Sequence, residues 1–447
     1  MRRVVMTWAV VIVGLAGCAG PVQRLQPRFP YAQTASSYLE KAQRDHLLIS
    51  LSYQARLDSA LKNRMLRPWT ADTLSHTCFE AYWAARYITT HQGFGENMLP
   101  LPENWATTLI ENADSSSYGL SPWKGMNTVR SSLRALPTVH PFYLDFNRAG
   151  EGFPFDYLQN SALPVNTPLC VLNQSRDKAW LLVDSHHAMG WVPARQVVRI
   201  DSVVETTWRQ SLQVAPVSEP VTLTDSLGRF LAQARIGSSF PLIDATEAAW
   251  RVAIVVDDGT GYGRIETGML TREAAVRRPW ALTQSHLLHL TRALMYQPYG
   301  WGGLFENRDC SAMLKDYFFP FGIWLPRNSG AQAGATPYRL ELQAFGNKEK
   351  EARIIAQGLP LLSLLWKPGH IMLYTGASEG RPMIFHNLWG LKTKPLWGKT
   401  GRHIIGQAVI TSLTPGRDLG VKHRKGSLLE GVARMTTVVH PDSILSF

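Results

Sequence analysis

The chain has 447 residues, room for three or four domains of about 100–150 residues each. Its hydrophobic share (45%) and charged share (18%) are ordinary for a globular protein, and its formal net charge of +12 suits an anionic setting such as a membrane surface, a wall polymer or nucleic acid. No lysine/arginine run with interleaved aromatics is present, which argues against nucleic acid; the basic cluster Lys422–Lys425 is short and reads as a solvated loop.

Met1-Arg2-Arg3 is a positive start, and Val4–Gly14 is an apolar run too short to cross a bilayer as a mature helix. Leu15-Ala16-Gly17-Cys18 resembles the cleavage box of bacterial lipoproteins. That resemblance implies loss of residues 1–17, which lowers the charge to +10, and a diacylglycerol on the Cys18 sulfur. Ala19 is not an acidic retention residue, so it further implies an outer-membrane anchor facing the periplasm. Two acyl chains hold stably where one does not. Residues 18–36 carry proline and glutamine without apolar period and read as a tether.

Residues 37–136 read as a helical region without chemistry of its own. Leu47, Leu51, Ala55, Leu57, Leu61 and Met65 recur at helical spacing from Ser37 to Leu66, Pro68 ends the run, and short helices are expected over 69–135. From Pro137 onward short alternating runs take over. Cys170–Leu172, Trp180–Val183 and Met189–Val192 are strand-like, and the cycle recurs at Val221–Thr224, Arg229–Ala234, Trp250–Val255 and Tyr262–Ile265. This predicts two small all-β barrels, over 137–200 and 201–275. Asp177-Lys-Ala-Trp180 and Gly190-Trp-Val192 resemble bacterial SH3-like modules. Trp180, Trp191 and Trp250 read as barrel core, with Trp191 as a weak candidate for a pocket wall.

Residues 276–447 carry the chemistry. Ser285–Tyr296 has the period of an amphipathic helix, and Asp309 is a suitable N-cap for a helix with Met313, Leu314, Tyr317 and Phe318 on its core face. Cys310 then sits in the first turn, where unpaired N–H groups favour a thiolate and can stabilise an oxyanion. The neighbouring Asp309 opposes the thiolate, so a histidine has to assist. Pro368-Gly369 introduces a strand at His370, Gly376–Gly380 reads as a turn, and Met383–His386 forms the return strand. His370 and His386 are equidistant from Ser378, so a symmetric hairpin sets them directly opposite, about 4.5–5.5 Å apart at Cβ. One ring can then orient the other. Strands follow helices here, which predicts an α+β domain and not a doubly wound parallel sheet. Of the four cysteines, Cys78 and Cys170 are left as small buried hydrophobes, or as a pair in an oxidising envelope. No CxxC or HExxH motif occurs, which argues against a structural zinc site, and Cys-His-His chemistry calls for no metal or other cofactor.

At Pro298-Tyr-Gly-Trp-Gly-Gly303, Asp309-Cys-Ser311, Gly369-His370 and Phe385-His386 the chain resembles the NlpC family of cell-wall cysteine peptidases, whose catalytic fold is papain-like. Leu133–Thr138 and Phe153–Asp156 with Gln159–Ser161 resemble its lipoprotein branch, in which a helical N-terminal domain and two SH3-like domains precede the peptidase. The resemblance implies hydrolysis of the γ-D-glutamyl–L-diamino acid bond in peptidoglycan stem peptides. It implies Cys310 as nucleophile, His370 as base and His386 as the orienting third member. It places Tyr299, Asp309 and Ser311 in substrate subsites, with Asp309 helping to bind a substrate amine, and gives the first SH3-like module a preference for stem peptides with a free N-terminus. Partners are stem peptides or muropeptides and, through the lipid, a membrane; a monomer is expected. Two departures stand out: Ala312 where the family commonly has glycine, and the charged segment Phe305–Arg308. Two other functions fit the same residues, a silent wall-binding lipoprotein and an amidase or acyl transferase using the same Cys-His-His chemistry.

Overall fold

The computed structural model describes residues 29–39, 44–148, 150–393, 401–420 and 427–445. The signal segment 1–17, Cys18, the first part of the tether and the Lys422–Lys425 cluster lie outside the described residues. The end of the expected tether is docked on the fold: the Gln33 side-chain amide donates to the Ile410 carbonyl (2.8 Å) and accepts from the Ile410 N–H (2.9 Å), satisfying part of a sheet edge.

Helix α1 covers Leu51–Thr70, starting where the Ser50 hydroxyl accepts from the Tyr53 N–H and not near Ser37. It runs past Pro68 because that residue falls in the last turn, where Ala71 N–H still closes onto the Arg67 carbonyl. α1 touches all three domains. Tyr53 and Leu57 lie on the C-terminal core, Leu61 and Met65 on Ala215 and Phe319, and Leu66 and Trp69 on Met126, Val198 and Val255. Its buried Gln54 donates to the Trp280 carbonyl (2.6 Å) and the Phe321 carbonyl (3.1 Å). Short helices α2 (Cys78–Ala81), α3 (Trp83–Thr90) and α4 (Trp105–Ala113) pack on the first barrel.

That barrel comprises β1 (Trp123–Asn127), β2 (Ser131–Arg134), β3 (Gln159–Leu163), β4 (Pro168–Gln174), β5 (Trp180–Asp184), β6 (Met189–Pro193) and β7 (Val197–Arg199), in the order β3-β2-β6-β5-β4-β1-β7. β1 and β2 fall inside the span expected to be helical. Pairing decides their conformation: β1 lies between β4 and β7, and Gly125 lets β7 approach so closely that a Cβ there would sit 3.2 Å from the Val198 carbonyl oxygen. After α5 (Ser202–Gln210), the second barrel comprises β8 (Gln213–Pro216), β9 (Val221–Thr224), β10 (Phe230–Ala234), β11 (Phe240–Ala245), β12 (Ala249–Asp257), β13 (Gly263–Thr271) and β14 (Ala275–Arg278). Its last strand pairs with β8 and extends beyond 275.

The C-terminal domain has α6 (Gln284–Leu294), α7 (Cys310–Phe318), α8 (Ser329–Ala335) and α9 (Asn347–Gln357) around one antiparallel sheet. The sheet consists of β15 (Tyr338–Glu341), β16 (Ser363–Lys367), β17 (His370–Ser378), β18 (Arg381–Thr393), β19 (Gly401–Ser412) and β20 (Arg434–Thr437), ordered β15-β20-β16-β17-β18-β19. α6 and α7 cover one face through Leu287, Met313, Tyr317, Ile371 and Phe385; Ile354 of α9 covers the other with Met372 and Ile384. The molecule is thus a helical N-terminal region, two all-β SH3-like barrels and an α+β C-terminal domain.

Candidate active site

The loop before α7 is shaped by its contact with the first barrel. Gly302 (φ 58°) and Gly303 (φ 88°) adopt left-handed backbone, and a Cβ at Gly302 would stand 2.2 Å from the Gln159 carbonyl oxygen. Gln159 in turn donates to the Gly302 carbonyl (2.9 Å). This contact explains the Trp-Gly-Gly run: only glycine allows the loop to lie against β3.

Asp309 caps α7 as expected, accepting from the Ala312 N–H at 2.8 Å, and Cys310 is the first residue of the helix. Ala312 fits that turn without strain, so the departure from glycine changes nothing there. Asp309 does not confront the thiol as a free charge. Arg327 pairs with both its oxygens (3.1 and 2.6 Å), the Ser311 hydroxyl donates at 3.0 Å and the Gly302 N–H at 3.2 Å. Burial alone would raise this carboxyl; Arg327 and the hydrogen bonds overturn that and hold it below its ordinary range. Sequence reasoning missed Arg327, because a lone arginine after Pro326 shows no pattern. It also reaches Ser311 Oγ (3.0 Å) and Ser161 Oγ (2.8 Å), tying the helix start to the first barrel.

His370 and His386 meet, Nε2 to Nδ1 at 2.8 Å, though not as directly opposed residues. The turn is centred on Glu379-Gly380 and not on Ser378, as the Ser378–Arg381 pairing shows. That shift alone would put the two rings on opposite faces. A bulge between Tyr374 and Gly376 removes one residue from the count, so Tyr374 pairs with Ile384 and Leu373 with Phe385. Continued by one step, the register sets His386 against Met372, and His370 becomes its diagonal neighbour on the same face.

A third group fixes the proton positions. The Thr411 hydroxyl lies 3.0 Å from His386 Nε2 and donates its single hydrogen to the Ser412 carbonyl at 2.7 Å. It therefore accepts from His386 Nε2–H, which leaves His386 Nδ1 to accept from His370 Nε2–H. His370 Nδ1 then has a free lone pair, the state a base requires. Burial pushes His370 down to about 3, with Lys367 adding to the effect, and burial, then His370, holds His386 well below its ordinary range. Burial, followed by Asp309, pushes the Cys310 thiol up to about 12; the Ile371 N–H and Arg327 act the other way. The resting groups are thus a neutral thiol and neutral imidazoles, and the thiol proton has to leave as the sulfur attacks.

Cys310, His370, Tyr299, Asp309 and Ser311 all line one cleft of about 620 Å³. The Tyr299 phenol is held well above its usual range by burial, then by Asp309 and Cys310, so it is a neutral O–H donor beside the sulfur. His386 is fully buried behind His370. Trp191 is a correction. It is 0% exposed, packed among Leu136, Phe142, Leu158 and Leu182, because the first barrel needs a large ring between its sheet and α2–α4. The barrel wall of the cleft comes instead from Phe155, Tyr157, Gln159 and Asn160, with Trp83 of α3 beside them. Cys170 is half-buried and Cys78 is exposed at the start of α2, both as free thiols, so neither the pair nor a buried Cys78 is found. Arg308 accounts for charge in the segment before the cap. It turns away from the cleft to bond Glu219 of the second barrel (2.6 Å) and Asp316 of α7 (2.6 Å). Among the described residues no cluster of His, Cys, Asp or Glu could hold a metal ion.

Comparison with known proteins gives four family matches: an NLPC_P60 stabilising N-terminal domain over residues 7–118, an SH3 domain of SH3b1 type over 141–193, an SH3 domain of SH3b2 type over 201–247, and NlpC/P60 over 296–398. Among solved structures, an NlpC/P60 endopeptidase from Photobacterium damselae subsp. piscicida is 26% identical with a TM-score of 0.82, covering 91% of this chain and 97% of its own. An NlpC/P60 family protein from Bacillus cereus ATCC 10987 is 12% identical with a TM-score of 0.47, covering 71% of this chain and 100% of its own. No curated protein matches the chain.

Proposed function

We propose, from the premise that this chain belongs to the NlpC/P60 family of cell-wall peptidases, that it hydrolyses the γ-D-glutamyl–L-diamino acid bond of peptidoglycan stem peptides. The observation that carries the reading is the hydrogen-bonded series Thr411, His386, His370, whose last member lines the cleft that also holds Cys310 at a helix start. His370 Nδ1 takes the thiol proton as the sulfur attacks the amide carbonyl. The oxyanion is met by the N–H groups at the start of α7 and the Tyr299 hydroxyl. His370 passes the proton to the leaving amine, the C–N bond breaks, and a thioester remains. Water then cleaves the thioester, releasing a carboxylate and restoring the thiol.

The protein acts as a monomer, held by lipid on Cys18 at the outer membrane. Loss of radiolabelled palmitate incorporation in Cys18→Ala is the expected result for the anchor. The activity is tested by digesting muropeptides with protein lacking residues 1–28, which keeps the docked Gln33, and reading the products by mass spectrometry. New L-diamino acid N-termini should appear, and Cys310→Ala should abolish them with folding unchanged. Cleavage at another amide, or transfer to an acceptor other than water, would replace this reading with that of an amidase or acyl transferase.

A further inference from the structure

We propose that the junction of the barrels with the C-terminal domain binds one small monovalent anion of the chloride class, seated between Lys315 of α7 and Arg130 of the first barrel. The site is a cavity of about 20 Å³, walled also by Ser161, Asn307, Arg308 and Arg327. It lies on the side of α7 that carries Ala312, Lys315 and Asp316, whereas the cleft lies on the side of Cys310 and Ser311. A space of this size takes one water-sized sphere and excludes phosphate or sulfate.

Charge in the wall does not balance. Arg308 is met by Glu219 (2.6 Å) and Asp316 (2.6 Å), and Arg327 by Asp309 (2.6 Å). Asp316 is shared, since its Oδ1 also accepts from Lys315 (2.6 Å). Three carboxylates thus serve three cations, and Arg130 is a fourth cation in the same wall. Its Nε is buried with no hydrogen-bond partner among the described residues. Burial, then Arg308, push the guanidinium down to about 10 against the attraction of Asp316, and Arg235 repels it more than Glu306 attracts it.

Donors outnumber acceptors as well. Lys315 is 7% exposed, and its ammonium gives one of three hydrogens to Asp316 and finds no second acceptor among the described residues. Ser161 Oγ accepts from Arg327 (2.8 Å), which leaves its own hydrogen to donate. A buried ammonium short of acceptors is costly. A water molecule would accept two of these hydrogens, bring two of its own and leave the charge unmatched. A monatomic anion accepts from all of them and cancels the surplus charge. Asp316, in the same wall, repels the ion and keeps the site weak. So placed, the ion ties the first barrel to the helix that presents Cys310.

Thermal unfolding of the full chain, followed as chloride replaces gluconate at constant ionic strength, tests this. The midpoint should rise along a saturating curve by about 2 °C, and Arg130→Met should remove the saturating part. Crystals grown in bromide should show an anomalous peak between Lys315 Nζ and the Arg130 guanidinium, a measurement that decides the matter even where the variant does not fold. A bromide peak without a saturating rise in the wild type would mean an adventitious ion only and overturn the proposal. No peak would overturn it too, and assign the cavity to water.

Discussion

Arg327→Met tests the electrostatic frame of the site. The substitution keeps much of the buried stem and removes the guanidinium, so Asp309 remains as a carboxylate with 10% of its side chain exposed and no counter-ion. Breaking a buried ion pair on one side costs about 3–5 kcal/mol, a large share of the roughly 5–15 kcal/mol that holds a domain folded. Urea unfolding at neutral pH should show a loss of that order. Asp309→Asn combined with Arg327→Met should recover part of it, since no uncompensated anion is left. The pH dependence has a definite sign. In the wild type Arg327 holds the Asp309 carboxyl below its ordinary range, so its contribution is full above about pH 4, the unfolded value, and fades as pH falls through the lower folded value. In the variant, burial acts unopposed by the guanidinium and raises the carboxyl, so acidification relieves the strain and the gap between the two proteins narrows. A loss below about 1 kcal/mol, the level of an exposed pair, or a gap that does not change with pH, would refute the assignment.

Thr411→Val should lower kcat about tenfold, the equivalent of one net hydrogen bond of about 1.4 kcal/mol, with KM little changed, and Thr411→Ser should restore it. Equal rates in the valine and serine variants would remove Thr411 from the proton order. Alkylation of Cys310 by iodoacetamide should accelerate steadily from pH 7 to 10, because burial and Asp309 push the thiol up to about 12; a plateau near neutrality would mean a resting thiolate–imidazolium pair. Gly376→Ala should destabilise strongly, by about 2–4 kcal/mol from clash and backbone strain, since φ is 125° and the new Cβ would lie 2.0 Å from the Tyr38 carbonyl oxygen. Denaturant midpoints within error of wild type would contradict that close approach.

What the sequence disclosed was local. The cap at Asp309, the helix it opens, and the strands carrying His370 and His386 follow from nearest-neighbour chemistry, and the structure places them as those signals indicate. The register did not follow, because a turn displaced from Ser378 and a bulge before Gly376 make compensating changes that residue counting cannot detect. Arg327 was hidden because its partners, Asp309, Ser311 and Ser161, are brought together only by the tertiary fold. Trp191 shows the same limit: a tryptophan in a barrel can face the core or the cleft, and α2–α4 settled the matter from outside the barrel. β1 and β2 were masked by weak strand composition that pairing with later strands overrides.

Helix α1 makes the molecule hard to divide. Its Gln54 satisfies backbone groups of the C-terminal domain, and its apolar residues complete contacts that both barrels share. A fragment cut at the second barrel's end would open wet seams along every surface that this helix seals. Heat should accordingly melt the protein in a single calorimetric step rather than module by module. Swapping a barrel for that of a relative would require carrying the matching stretch of α1 along with it.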